Sequence, residues 1–321
     1  MDTVTHALAG AVLYKTGIGG RLGKAAAVVF ILGSLVPDLD FVMRIFTNAE
    51  FMMKHHRGIT NSIFGIPIIA IVFSLLVQKY YKRKGVESNL KELFLFSLLV
   101  MVVHNLLDIF TSYGTMIFYP FSFARVSWNV LFIVDFYVAG AFILALVVPL
   151  VMRNEIKAKA KKYPAVGVLG LFCVYIIIAG VSNSIVKKRV EVVLQNLNIT
   201  ADKIIAYPGP FSPLNWMVVA EDKAGFYVFR DVLRLDAFNI VSYKKYYSDT
   251  AGLVNAAKDD PLVDAYLWFA DFPYKSSYMD GDDRILEIRD LRFGFFEDKK
   301  HFVLRARISK AGELKEVTFE H

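Results

Sequence analysis

Five long apolar runs with almost no interior charge dominate the first part of the chain: roughly residues 22–46, 60–79, 92–110, 129–152 and 164–186. About 20 mostly apolar residues are enough to cross the ~30 Å hydrocarbon layer of a bilayer. Each run therefore predicts a membrane-spanning helix, and five together argue against a soluble helical protein. A shorter apolar segment at 4–16, VTHALAGAVLYKT, predicts a further tilted or partial span. It opens on Asp2 with no Lys or Arg before it, so a cleavable signal peptide is not expected there. Residues 1–186 are thus expected to form an α-helical polytopic membrane domain of five to six transmembrane helices.

From residue 187 the pattern changes. VEVVLQNL, WMVVAED, GFYVFRDVL, RILEIRDLRF and KHFVLRARIS are short apolar or alternating runs set between Gly, Pro, Asn and Asp. These are strand and turn signals. Residues 251–270 predict one or two short helices, with Pro261 near a helix start. Residues 187–321 are expected to be a small β-rich domain.

The formal charge of +7 invites a nucleic-acid partner, but its distribution argues against one. Residues 1–186 hold 17 Lys and Arg against 9 Asp and Glu; the remainder holds 20 against 21. Ten of the 17 sit in two short loops, near 79–92 and 153–163. Short loops rich in Lys and Arg stay in the cytoplasm. The N-terminus, residues 38–59, residues 109–128 and the β-rich domain are then expected outside a cell inner (plasma) membrane. Lys187, Lys188 and Arg189 run against this placement and are outvoted. The 55% hydrophobic content excludes disorder, and the single cysteine, Cys173, excludes a disulfide framework.

On this topology the scarce acids and histidines of the membrane part share one face. His6, Asp38, Asp40, His56, His104 and Asp108 all come out at the outer ends of their segments. Ionisable groups at membrane depth are costly and mark paired or functional sites. His104 and Asp108 are spaced i, i+4, one helical turn apart on one face. Asp38 and Asp40 flank a proline-disturbed turn and point the same way if the backbone there is extended. Mixed imidazole and carboxylate ligands suit a divalent Zn, Mn or Fe ion, singly or as a pair. His55 and His56 are adjacent, so one of them is expected to face solvent. Arg57, at the head of Arg57-Gly58-Ile59-Thr60-Asn61-Ser62, is a candidate anion seat or an ordinary interfacial arginine. Thr111 to Thr115 and Pro120 to Ser122 form a polar, aromatic loop that lines the site or sits at the interface. Asp135 is a candidate catalytic carboxylate, or an ion-pair partner of Arg125 or Arg57. His301 and His321 are expected to be surface residues.

Thr5-His6, Pro37-Asp38-Leu39-Asp40, His56-Arg57-Gly58-Ile59-Thr60-Asn61-Ser62 and His104-Asn105-Leu106-Leu107-Asp108 together resemble the inner-membrane-associated metal-dependent hydrolase family, also called LexA-binding. The resemblance covers residues 1 to about 150. It implies a bacterial or archaeal membrane protein with metal-dependent hydrolase activity. The family usually reads HRG-x-THS where this chain has Asn61, a weaker donor, which puts a second ion in doubt. The LexA-binding label fits poorly with motifs on the outer face and is not carried over. The resulting expectation is a hydrolase of ester or phosphoester bonds, with an amphiphilic substrate such as a phospholipid or other envelope lipid. Its ion is held by His6, Asp38, Asp40, His56, His104 and Asp108. A carboxylate not bound to the ion serves as base, Asp40 and Asp135 are counted among the catalytic residues, and Arg57 steadies an anionic group. Two other readings stay open: a transporter, and a non-catalytic scaffold with a structural metal.

Overall fold

The computed structural model describes residues 1–151, 160–210, 214–230, 243–247, 251–295 and 302–320. His301, His321 and most of the 153–163 loop lie outside the described residues. The chain divides into two units, each described by itself. The first holds Met1–Met43, Arg57–Gly180 and Pro210–Pro213; the second holds Arg44–His56, Val181–Gly209 and Leu214–His321.

In the first unit, α1 (Thr3–Lys15) opens on an Asp2 cap, whose carboxylate accepts from the Thr5 amide at 3.0 Å. Its buried residues, Thr5, His6, Ala9, Gly10, Val12 and Leu13, recur at helical spacing. A Cβ on Gly10 would come within 2.2 Å of the Phe30 carbonyl oxygen, so glycine here permits close contact with the following segment.

That segment corrects the first long span. Residues 22–46 are not one α-helix. They form tighter and wider turns: 3-10 at Gly20–Ala25, π at Val28–Leu32 and 3-10 at Val36–Ile45. Gly23 takes a left-handed conformation (φ 54°), and Pro37 lacks the N–H that an α-helix needs. α2 (Ala49–His55) is short and belongs to the second unit.

α3 (Gly65–Arg83) and α4 (Leu90–Phe110) form a helical hairpin, with the Ser74 and Ser97 hydroxyls in hydrogen-bond contact across it at 3.2 Å. Their outward faces are apolar: Ile68, Val72, Leu75, Leu95 and Leu99 are exposed, while serines lie inside. That inversion suits a lipid surround. α3 begins five residues later than the apolar run suggests, because Ile59–Asn61 is a 3-10 turn that packs against Gly65. A Cβ on Gly65 would stand 1.8 Å from the Ile59 carbonyl oxygen. Gly65→Ala is therefore expected to cost about 1–3 kcal/mol through backbone overpacking. Gly140→Ala, where a Cβ meets nothing within 4 Å, should be neutral or stabilising. Thermal unfolding in detergent micelles compares the two.

α5 (Phe136–Val151) buries Val138, Phe142 and Ala145 against α1 and the first half of α6 (Tyr163–Asn196). Among the described residues, α3, α4 and α6 are long and apolar enough to cross a membrane, and α5 is a shorter apolar helix.

At 34 residues, α6 is about 50 Å long at ~1.5 Å per residue. It continues through VEVVLQNL, which was expected to be a strand. Val186, Val190 and Leu194 lie at i, i+4 and i+8, and all three are buried. Extending a helix already formed costs less than starting a strand.

In the second unit, β1 (Lys203–Pro208), β2 (Trp216–Asp222), β3 (Gly225–Phe229) and β4 (Tyr243–Tyr247) form an antiparallel sheet in sequence order. Alternation gives it two apolar faces. Ala206, Trp216, Val218, Ala220, Tyr227 and Phe229 pack on the end of α6. Tyr207, Met217, Val219, Phe226 and Val228 pack on Phe272 and Leu291. α7 (Ala251–Ala257) and α8 (Pro261–Phe269) follow, the latter capped by Asp260 and opening on Pro261 as expected. A second antiparallel sheet, also in sequence order, completes the unit: β5 (Pro273–Asp280), β6 (Asp283–Asp290), β7 (Val303–Ile308) and β8 (Leu314–Glu320).

Candidate metal centre

Three side chains from two helices meet in the interior of the first unit. α1 supplies His6, and α4 supplies His104 and, one turn on, Asp108. One ligand atom from each lies within 4.8 Å of the other two. The rings of His6 and His104 stack at 3.8 Å between centroids. All three side chains are fully buried.

The hydrogen bonds set the ring nitrogens. His104 Nδ1 lies 2.7 Å from the Ser34 carbonyl oxygen, which can only accept, so Nδ1 carries the proton. In the neutral ring, Nε2 then presents a lone pair. It faces two carboxylates, Asp108 Oδ2 and Asp38 Oδ1, each at 3.4 Å. Neither His104 Nε2 nor Asp108 Oδ2 has a hydrogen-bond partner. A ring nitrogen facing two carboxylates calls for positive charge between them, supplied by a proton on Nε2 or by a bound cation. A metal-ligating histidine commonly donates its other N–H to a backbone carbonyl, as His104 does to Ser34. The donor set of imidazole and carboxylate thus fits a divalent ion such as Zn, Mn or Fe.

Asp108 Oδ1 is occupied from other directions. It accepts from Arg57 Nη2 at 2.8 Å and His6 Nε2 at 3.1 Å, and pairs with the Met1 ammonium. Arg57 itself is 5% exposed and held in a left-handed backbone conformation, φ 59°, unusual for a side chain of its size. Its amide donates to Asp40 Oδ2 at 2.8 Å, and its carbonyl accepts from the Met116 amide at 3.0 Å. Its guanidinium lies 4.8 Å from the centre of the Tyr113 ring. Arg125 lies 4.9 Å from the same ring and donates to the carbonyls of Tyr113 and Gly114.

Of the six expected ligands, His6, Asp38, His104 and Asp108 are linked by contacts of 3.4 Å or less. Asp38 and Asp40 do not point the same way, which corrects the extended-turn expectation. Their backbone is 3-10 helical, so residues two apart face different directions. Asp38 reaches His104, whereas Asp40 accepts from the Arg57 amide and the Thr60 hydroxyl. His56 ends α2, is half-buried, and is not in the His6–His104–Asp108 group. Asp135 makes no pair with Arg57 or Arg125. It caps α5, accepting from the amides of Tyr137 and Val138, and accepts from the Tyr175 hydroxyl at 2.7 Å. The Ser34 carbonyl had no sequence signal, because any residue supplies one. Tyr113 lies in the Thr111–Thr115 loop, for which the sequence leaves both a site-lining and an interfacial place open.

Residues 1–186 match the model of the YdjM inner membrane protein family. The chain belongs to that family. The YdjM match bears out the resemblance drawn from the four motifs, and with the apolar helices it makes this an inner-membrane protein. A curated relative, "Uncharacterized protein YfhP" of Bacillus subtilis (strain 168), is 26% identical over 288 residues, covering 84% of this chain and 80% of the relative. No solved structure matches the chain.

Proposed function

We propose that this YdjM-family protein is a membrane-bound, metal-dependent hydrolase of ester or phosphoester bonds, with its site at the outer membrane face. The carrying observation is His104 Nε2, buried without a hydrogen-bond partner and facing the carboxylates of Asp38 and Asp108. His6, His104 and Asp108 would hold one divalent ion. Such an ion supplies Lewis acidity and activates water. A single ion is proposed because Asp40 is engaged by Arg57 and Thr60, and Asn61 stands where the family has a histidine. Asp38, the most exposed carboxylate of the group at 15%, takes the proton of the attacking water. Arg57 neutralises charge on the scissile group. Asp40 fixes the strained Arg57 backbone, and Asp135 anchors α5.

An amphiphilic substrate, a phospholipid or other envelope lipid, is supported by the segment that carries Asp38. In a 3-10 helix side chains three apart eclipse. Val36, Leu39, Val42 and Ile45 therefore form one aliphatic stripe, and the last three are exposed. The proposed position of the C-terminal unit outside the membrane is supported by the Lys and Arg of the two short loops. A cytoplasmic signal from a reporter fused after residue 321 would overturn that placement.

Purified protein in lipid nanodiscs is expected to contain about one transition-metal ion per chain by elemental analysis. His104→Ala and Asp108→Ala are expected to contain almost none, and to lose hydrolysis of phospholipid vesicles. Equal metal content in wild type and variants would sink the proposal. Metal in the wild type without hydrolysis of any lipid ester would favour a structural ion instead.

A further inference from the structure

The ion proposed above and Arg57 need the same carboxylate. Arg57 Nη2 sits 2.8 Å from Asp108 Oδ1, while Asp108 Oδ2 faces His104 without a hydrogen bond. A guanidinium this close to a divalent ion, in a buried site, meets strong like-charge repulsion. Arg57 also carries an unmet donor and a strained backbone. Its Nε is buried without a partner, and its backbone is held left-handed by contacts from Asp40 and Met116. Strain of this kind collects where a residue must serve two arrangements.

We propose that Arg57 is a resident counter-cation that competes with the metal for Asp108 and is released toward the substrate only when the ion is loaded. The Tyr113 ring, against which the guanidinium already lies, gives it a surface on which to move without losing its cation–π contact. Arg57 thereby couples anion binding to metal loading, because a ligand can shift only those groups with which it has differential interaction. This rests on the metal-hydrolase reading and deepens it: the substrate arm is anionic at the atoms that Arg57 reaches, as in a phosphoester.

The test is a titration of full-length protein in nanodiscs with Zn²⁺ against a competing chelator dye. Arg57→Gln is expected to bind Zn²⁺ about tenfold or more tightly than wild type. Arg57→Lys, which keeps the charge, should stay within about threefold. Unchanged or weaker binding by a folded Arg57→Gln would overturn the proposal while leaving the metal site intact. A wild type that binds no Zn²⁺ would overturn both. Should Arg57→Gln fail to fold, the modification of Arg57 in the wild type decides. Phenylglyoxal modification of Arg57, mapped by mass spectrometry, is expected to rise on Zn²⁺ loading, and no rise would refute the release.

Discussion

Asp108→Ala is expected to be the most damaging single change in the first unit, abolishing metal uptake and destabilising the apo protein together. The carboxylate compensates the Arg57 guanidinium, holds His6, and pairs with the Met1 ammonium, all in a fully buried setting. Removing one partner of a buried ion pair leaves the other charged and desolvated, a loss of about 3–5 kcal/mol. Asp108→Asn keeps the volume and one acceptor oxygen, and should recover part of the stability but none of the metal. Thermal unfolding in micelles with and without Zn²⁺ separates the two effects. The wild-type midpoint should rise with Zn²⁺ by mass action, and both variants should be indifferent to it. A stable Asp108→Ala that still responds to Zn²⁺ would contradict the assignment.

Asp290→Ala should be comparably severe in the second unit and silent at the proposed metal site. Asp290 is 4% exposed, and its carboxylate accepts from the amides of Asp271, Phe272 and Arg292. It also pairs with Arg292 Nη2 at 2.8 Å. Arg292 in turn reaches Asp271 and lies over the rings of Phe269 and Phe293. Beside this network, burial and the neighbouring Asp271 push the Tyr207 hydroxyl well above its usual range, so it stays a donor to Asp271. Losing Asp290 strands three backbone amides and takes the nearest carboxylate from a buried guanidinium, again about 3–5 kcal/mol. Proteolysis of β5 and β6 should accelerate while Zn²⁺ affinity holds. A loss of both would mean that the network also supports the membrane part.

The legible and illegible parts of this chain divide by the range of the physics involved. Hydropathy and length are local, so α3, α4 and α6 could be read directly. The i, i+4 spacing of His104 and Asp108 needs only a helix, and the helix was certain. The 22–46 run misled because Gly23 and Pro37 act from inside an apolar stretch without altering its hydropathy. Asp38 and Asp40 parted company because their directions depend on whether the turn is extended or 3-10, which residue type does not specify. The continuation of α6 past residue 186 turned on the partners of Val190 and Leu194, which lie in a sheet formed by later residues. The bond from His104 to the Ser34 carbonyl was beyond reach because a backbone acceptor carries no residue-type signature.

One consequence concerns how a protein of this kind can be divided. The family match runs unbroken over residues 1–186, yet Arg44–His56 fold with the second unit. There α2 packs on α8, and Lys54 bonds Asp264 at 3.0 Å. A chain cut after residue 186 would keep α2 and discard what it rests on. The C-terminal region is therefore not an interchangeable appendix. Exchanging it between relatives would require residues 44–56 to travel with it, so that the graft has two pieces and the host a gap immediately before Arg57.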